Sequence, residues 1–180
     1  MLTVLRITVD AMLPKENLII RLQRDRQTLL ATLTGVPDEA LATPGANGSW
    51  SAMDILAHLT AWDGEAMRRM AFATGDSSTP PHDLDDEAHW QQWNVQQIEM
   101  KRLLGPRGVK VDLAGTWVRL MARIEALSPL DYARWLEIGS GIRLDHDREH
   151  TQQLRDWRDH WERSLPWWRR VGRDVKNLFN

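Results

Sequence analysis

The chain has no cysteine, which excludes disulfides, thiolate nucleophiles and cysteine-based zinc sites together. Aromatic residues other than tryptophan are nearly missing: one tyrosine and two phenylalanines stand against ten tryptophans. Charge of one sign is not in excess. With a net charge of −2 over 180 residues, composition gives no footing for a nucleic-acid or membrane partner. No apolar run approaches the twenty or so residues of a membrane span. Met1 to Leu13 holds one early cation, Arg6, and no continuous apolar stretch, so no secretory leader is read there. The expected location is cytoplasmic, although without cysteine redox chemistry does not fix the compartment.

What is present is the mix of a soluble globular protein, 42% hydrophobic and 27% charged, at a length that suits a single domain over residues 1–180. Helical spacing dominates. Residues 1–12 read as an irregular extension, and Met12 is a candidate start codon because no helical stripe precedes it. A first helix is expected from Lys15 to Leu33, with Leu18, Leu22, Leu29 and Leu33 on one stripe. A second opens at Ser51, where Ser51 and Asp54 form a capping-box-like pair, and runs to Thr74. Gly75 to Leu84 is a proline-containing linker. Further helices are expected from Asp85 to Leu104, from Asp112 (as N-cap) to Leu127, briefly from Tyr132 to Leu136, and from Ile142 to Glu162. Gly139-Ser140-Gly141 reads as a joint, and 166–180 as a short basic segment with Trp167, Trp168 and Phe179, expected to pack on the bundle or on a dimer partner rather than on a membrane. No segment reads as a sheet. The fold class is therefore all-α.

The strongest local signal is Asp145-His146-Asp147-Arg148-Glu149-His150. Residues four apart on a helix differ by about 40° in direction and lie one turn apart. Leu154, Trp157 and Trp161 point the same way, so His146 and His150 fall on the inward stripe. Buried imidazoles need partners. Two readings stand side by side: core histidines satisfied by backbone or carboxylate, and ligands of one metal ion. A metal needs a third ligand, and His58, midway along the second helix near its inward edge, is the natural candidate, since bundles build such sites from facing helices. His82 and His89 are expected at the surface, with His160 a reserve ligand.

Two stretches carry a family resemblance. Trp50 to Trp62 (WSAMDILAHLTAW) is similar to the second-helix motif of the DinB/YfiT-like superfamily, and His146 to His150, with Gln153, Leu154 and Trp157, to its last-helix motif. Glu87 to Asn94 and Val111 to Leu127 resemble the middle of its ClbS/DfsB-type branch. The resemblance spans nearly all of the chain after Met12. It implies a four-helix bundle with a long crossover between core helices 2 and 3 and an extra helix in the connection. Carried over residue by residue, it implies a zinc- or nickel-binding triad of His58, His146 and His150, and a chain able to form a homodimer. It also implies an activity on a small-molecule substrate: hydrolysis, or transfer involving a low-molecular-weight thiol that this cysteine-free chain must take from outside. The chain departs from ClbS-type members that lack the triad.

Around the triad, Asp54 is expected to accept a ring N–H of His58, and Trp62, Asn94, Gln153 and Trp157 to support or line the site. Glu149 is either a general base or a solvated surface carboxylate. Three functional readings follow: a metal-dependent enzyme acting on a small electrophile, a non-catalytic binding or self-protection protein, and a zinc peptidase, because His146-Asp147-Arg148-Glu149-His150 spells the inverted zincin pattern.

Overall fold

The computed structural model describes residues 13–84, 86–139 and 145–166. The expected extension before residue 13, most of the 139–141 joint, the start of the last helix at Ile142 and the basic segment after Pro166 lie outside them. Among the described residues, seven helices and one two-stranded hairpin follow in the order α1 (Lys15–Ala31), α2 (Asp38–Leu41), β1 (Pro44–Asn47), β2 (Trp50–Ser51), α3 (Ala52–Thr74), α4 (Glu87–Arg102), α5 (Gly105–Ala126), α6 (Pro129–Glu137) and α7 (His146–Ser164).

The bundle is α1, α3, α5 and α7, and two apolar clusters fix how they run. Leu29 near the end of α1 and Leu33 just past it pack with Ala52 to Leu59 from the start of α3, Val109 and Leu113 from the start of α5, and Leu154 and Trp157 of α7. Leu18 and Leu22 from the start of α1 pack with Ala66 and Met70 late in α3, and with Leu120 and Ile124 late in α5. Helices α3 and α5 thus run opposite to α1 and parallel to each other. Helix α7 runs with α1, held by Arg21 on Asp145 at 2.8 Å near one end and Arg158 on the Thr32 carbonyl at 2.6 Å near the other. Two parallel neighbours need a connection that returns along the length of α3, about 35 Å at 1.5 Å per residue. Residues 75–84 and α4 serve that crossover, and α4 packs on α3 and α5.

Helix α3 is the central element, buried on nearly every side from Ala52 to Ala61. Its start is the expected capping box: Asp54 N donates to Ser51 Oγ at 3.1 Å and Ser51 N donates to Asp54 Oδ2 at 2.8 Å. Its end is Gly75 at φ 79°, the left-handed conformation that glycine adopts without a Cβ clash.

Three expectations about elements are corrected. Helix α5 begins at Gly105, not Asp112: Pro106 sits in its first turn, where a missing N–H costs nothing, and Asp112 accepts from Lys101 at 2.6 Å rather than capping. The chain does hold a sheet, the antiparallel pair Pro44↔Ser51 and Asn47↔Trp50, too short for a period-2 pattern to reveal. The short α2 follows Pro37, and α6 starts at Pro129, three residues ahead of the expected Tyr132, with Ser128 capping it by accepting from Asp131 N at 3.1 Å. Among the described residues no helix is long and apolar enough to cross a membrane.

Candidate metal centre

His58 lies mid-way along α3, and His146 and His150 occupy the first two turns of α7. The three residues are 5%, 7% and 6% exposed, too buried for their rings to be well solvated. The structure brings all three together. Nε2 of His58 and Nε2 of His146 are 2.8 Å apart. Ring centroids stand 4.8 Å (58–146), 5.1 Å (58–150) and 4.7 Å (146–150) from one another. One ligating nitrogen from each lies within 4.8 Å of the others.

This donor set fits one divalent ion. Imidazole nitrogens bound tetrahedrally at about 2.0–2.1 Å stand about 3.3 Å apart, so the close pair need part by only about half an ångström. His150 Nδ1 lies 2.8 Å from Gln153 Oε1. The amide oxygen only accepts, so Nδ1 carries the proton and Nε2 keeps the lone pair a metal requires.

Tryptophans wall the cluster. Trp62 meets His58 and His146 edge-on at 6.3 and 6.1 Å, and Trp93 backs Trp62 at 5.1 Å. The buried Asn94 accepts from Trp62 Nε1 at 3.0 Å, so its contribution runs through that ring. Trp50 lies 5.1 Å from His58. Sequence reasoning did not single it out, because a strand residue eight positions from His58 shares no helical stripe with it.

The other expected residues are placed elsewhere. Asp54 gives its carboxylate to the cap and to the Arg102 fork at 2.7 and 2.8 Å rather than to a ring N–H of His58. Burial pulls its pKa upward, but the bonds from Arg102 and Ser51 outweigh that and hold it below the ordinary 3.8. Trp157 fills the apolar cluster and stacks on Trp161 at 6.2 Å. Glu149 is exposed, as the solvated reading has it, and His160 is exposed too, which removes it as a reserve ligand. His89 is at the surface; His82, also exposed, bonds through Nδ1 to the buried Glu65 at 2.6 Å.

One network beside the centre was missed entirely. The Arg26 guanidinium, on α1, donates through NH1 and NH2 to both oxygens of Asp63 at 3.0 and 3.1 Å, and through Nε and NH2 to Asp147 at 2.7 and 3.3 Å. Burial pushes the Asp63 carboxyl up to about 6, against the pull of Arg26. Burial also works against the charge on Arg26, yet the two carboxylates outweigh it and hold the guanidinium pKa above its ordinary range.

A bundle whose interior gathers three buried imidazoles from two helices defines a class, the all-α proteins with a histidine triad able to hold a metal ion. A family model described as the DinB superfamily matches residues 21–166, and the chain belongs to that superfamily. No curated protein and no solved structure matches it.

Proposed function

We propose that the protein is a metal-dependent enzyme acting on a small electrophilic molecule, by hydrolysis or by transfer to or from a low-molecular-weight thiol, with the ion held by His58, His146 and His150. The observation that carries this reading is the convergence of three buried imidazoles, one of them tautomerically set by Gln153. Nitrogen-only ligation favours zinc or nickel over magnesium or calcium. Such an ion, when bound, supplies Lewis acidity that activates water or a thiol near neutral pH. The chain's own residues do the rest. Gln153 orients His150; Asn94 fixes the Trp62 ring; Trp50, Trp62 and Trp93 exclude water and offer an apolar face to a substrate. Glu149 is given no catalytic task, since its side chain is exposed while the triad is buried. The same fact weighs against the peptidase reading, which needs that carboxylate at the ion.

A second reading, a small-molecule binding or self-protection protein of the ClbS/DfsB type, is favoured by the tryptophan wall alone. The proposal carries with it a cytoplasmic location, one domain over the whole chain and a homodimer, supported by composition and family resemblance. Metal analysis of protein purified without an affinity tag tests the centre. About one zinc or nickel per chain is expected for the wild type and almost none for His146→Ala; full occupancy in the variant would reject the assignment. Thermal-shift screening with thiols and small electrophiles then separates enzyme from binder.

A further inference from the structure

Arg26 touches all four core helices. It sits on α1, forks onto Asp63 of α3, reaches Asp147 of α7 with Nε and NH2, and stacks on Trp117 of α5, with Cζ 4.1 Å from the ring centroid. All three guanidinium nitrogens are engaged. Arg26, Asp63 and Asp147 are 4%, 10% and 12% exposed at the side chain. The two carboxylates are not placed at random along their helices: Asp63 follows His58 by five residues, and Asp147 follows His146 directly.

As a stabilising device this network is a poor choice. Three charges taken from water lose hydration that their mutual attraction repays only in part, and apolar side chains of similar size often serve as well or better. As a positioning device it is apt. Leu22 and Leu29 on either side of Arg26, and Leu59 and Ala66 on either side of Asp63, are apolar contacts. Apolar contacts tolerate a helix turning a few degrees about its axis or sliding by a fraction of a residue. A planar fork with fixed hydrogen-bond directions does not. The helices it locks together, α3 and α7, are the two that carry the triad.

We propose that Arg26 is the positioning residue of the histidine centre, a clasp that sets α7 against α3 so that His146 and His150 face His58. This rests on the metal reading above only for its consequence in affinity; the alignment of the rings is a property of the metal-free protein. Two variants test it. The triple substitution Arg26→Met, Asp63→Leu, Asp147→Leu removes the network without leaving a buried charge unpaired. Arg26→Lys keeps a cation but loses the fork. Co(II) titration, read by visible absorption, should show affinity lowered by about 10–100-fold in the triple variant and less in Arg26→Lys, as for lost outer supports of metal ligands. Thermal midpoints should stay near wild type. In metal-free protein the nuclear Overhauser contact between the rings of His58 and His146, 4.8 Å apart by centroid, should weaken in both. Either variant, folded, with wild-type Co(II) affinity and an unchanged ring contact overturns the clasp. If the triple variant does not fold, Arg26→Lys decides. Wild-type protein that takes up no Co(II) removes the metal reading, and the ring contact still decides the clasp.

Discussion

Gln153 is the residue whose chemistry is best defined by its surroundings. Its amide oxygen can only accept, so it assigns the proton on His150 to Nδ1. Replacing it by leucine keeps the volume and removes the acceptor. Metal affinity should fall by about 10–100-fold with little change in thermal midpoint, read by competition with a chromophoric chelator; unchanged affinity would mean that the contact does not orient the ring. The triad was legible at this scale because histidines on an apolar stripe stand out. Arg26 and Asp63 carried the same kind of mark. Arg26 falls between Leu22 and Leu29 on the α1 stripe, and Asp63 between Leu59 and Ala66 on the α3 stripe. A charge on an inward stripe announces a buried partner, but nothing local says which helix supplies it. Asp54 misled for a related reason: one turn from His58, it is near in sequence, while its strong partner Arg102 comes from α4, 48 residues on.

At the scale of the element, α3 stands on its cap. Ser51→Ala removes the acceptor for Asp54 N and should cost about 0.5–2 kcal/mol in chemical denaturation. The Asp54 carboxylate adds a pH dependence whose sign is defined. Its pKa in the folded protein lies below the ordinary 3.8, so the unfolded chain binds the proton more readily. The stability this group contributes is therefore present above pH 3.8 and is lost as pH falls through the folded value. The difference in unfolding free energy between wild type and Asp54→Asn should shrink as the buffer is taken below that point, and a difference independent of pH would discount the Arg102 fork. Helix interiors were legible from spacing; their starts were not always so. Gly105-Pro106 reads as a break and is a first turn, since proline punctuates a helix on one side and begins it on the other. The hairpin of β1 and β2 escaped notice because its residues pair with each other rather than with any periodic face, yet it is what carries Trp50 to His58.

For the whole molecule, the two apolar clusters are separated by a polar layer that includes Arg26, Asp63 and Thr116, all buried. Leu29 is 0% exposed in one cluster and Ile124 is 0% exposed in the other. Leu29→Ala should cost about 2–5 kcal/mol, lowering the thermal midpoint by roughly 5–15 °C for a chain of this size. A change of under about 2 °C would place Leu29 outside the cooperative core. Binding of metal should act in the opposite sense. An ion at 100 times its Kd adds about 2.7 kcal/mol, a rise of roughly 5–10 °C, which His146→Ala should abolish in differential scanning calorimetry.

The sequence by itself determined the class of fold, the four long stripes and the histidines that face inward, because helical period and burial are local properties written every three or four residues. It also placed the chain in its superfamily. Only the tertiary structure decided which helices run parallel, that Asp54 takes the Arg102 fork, that Glu149 is exposed, and that one arginine joins three helices beside the triad and stacks on the fourth. The side-chain pairings among them join residues from 37 to 121 positions apart for the clasp and 48 for the Arg102 fork. Pairings over such distances follow from how whole helices pack, which no local pattern encodes.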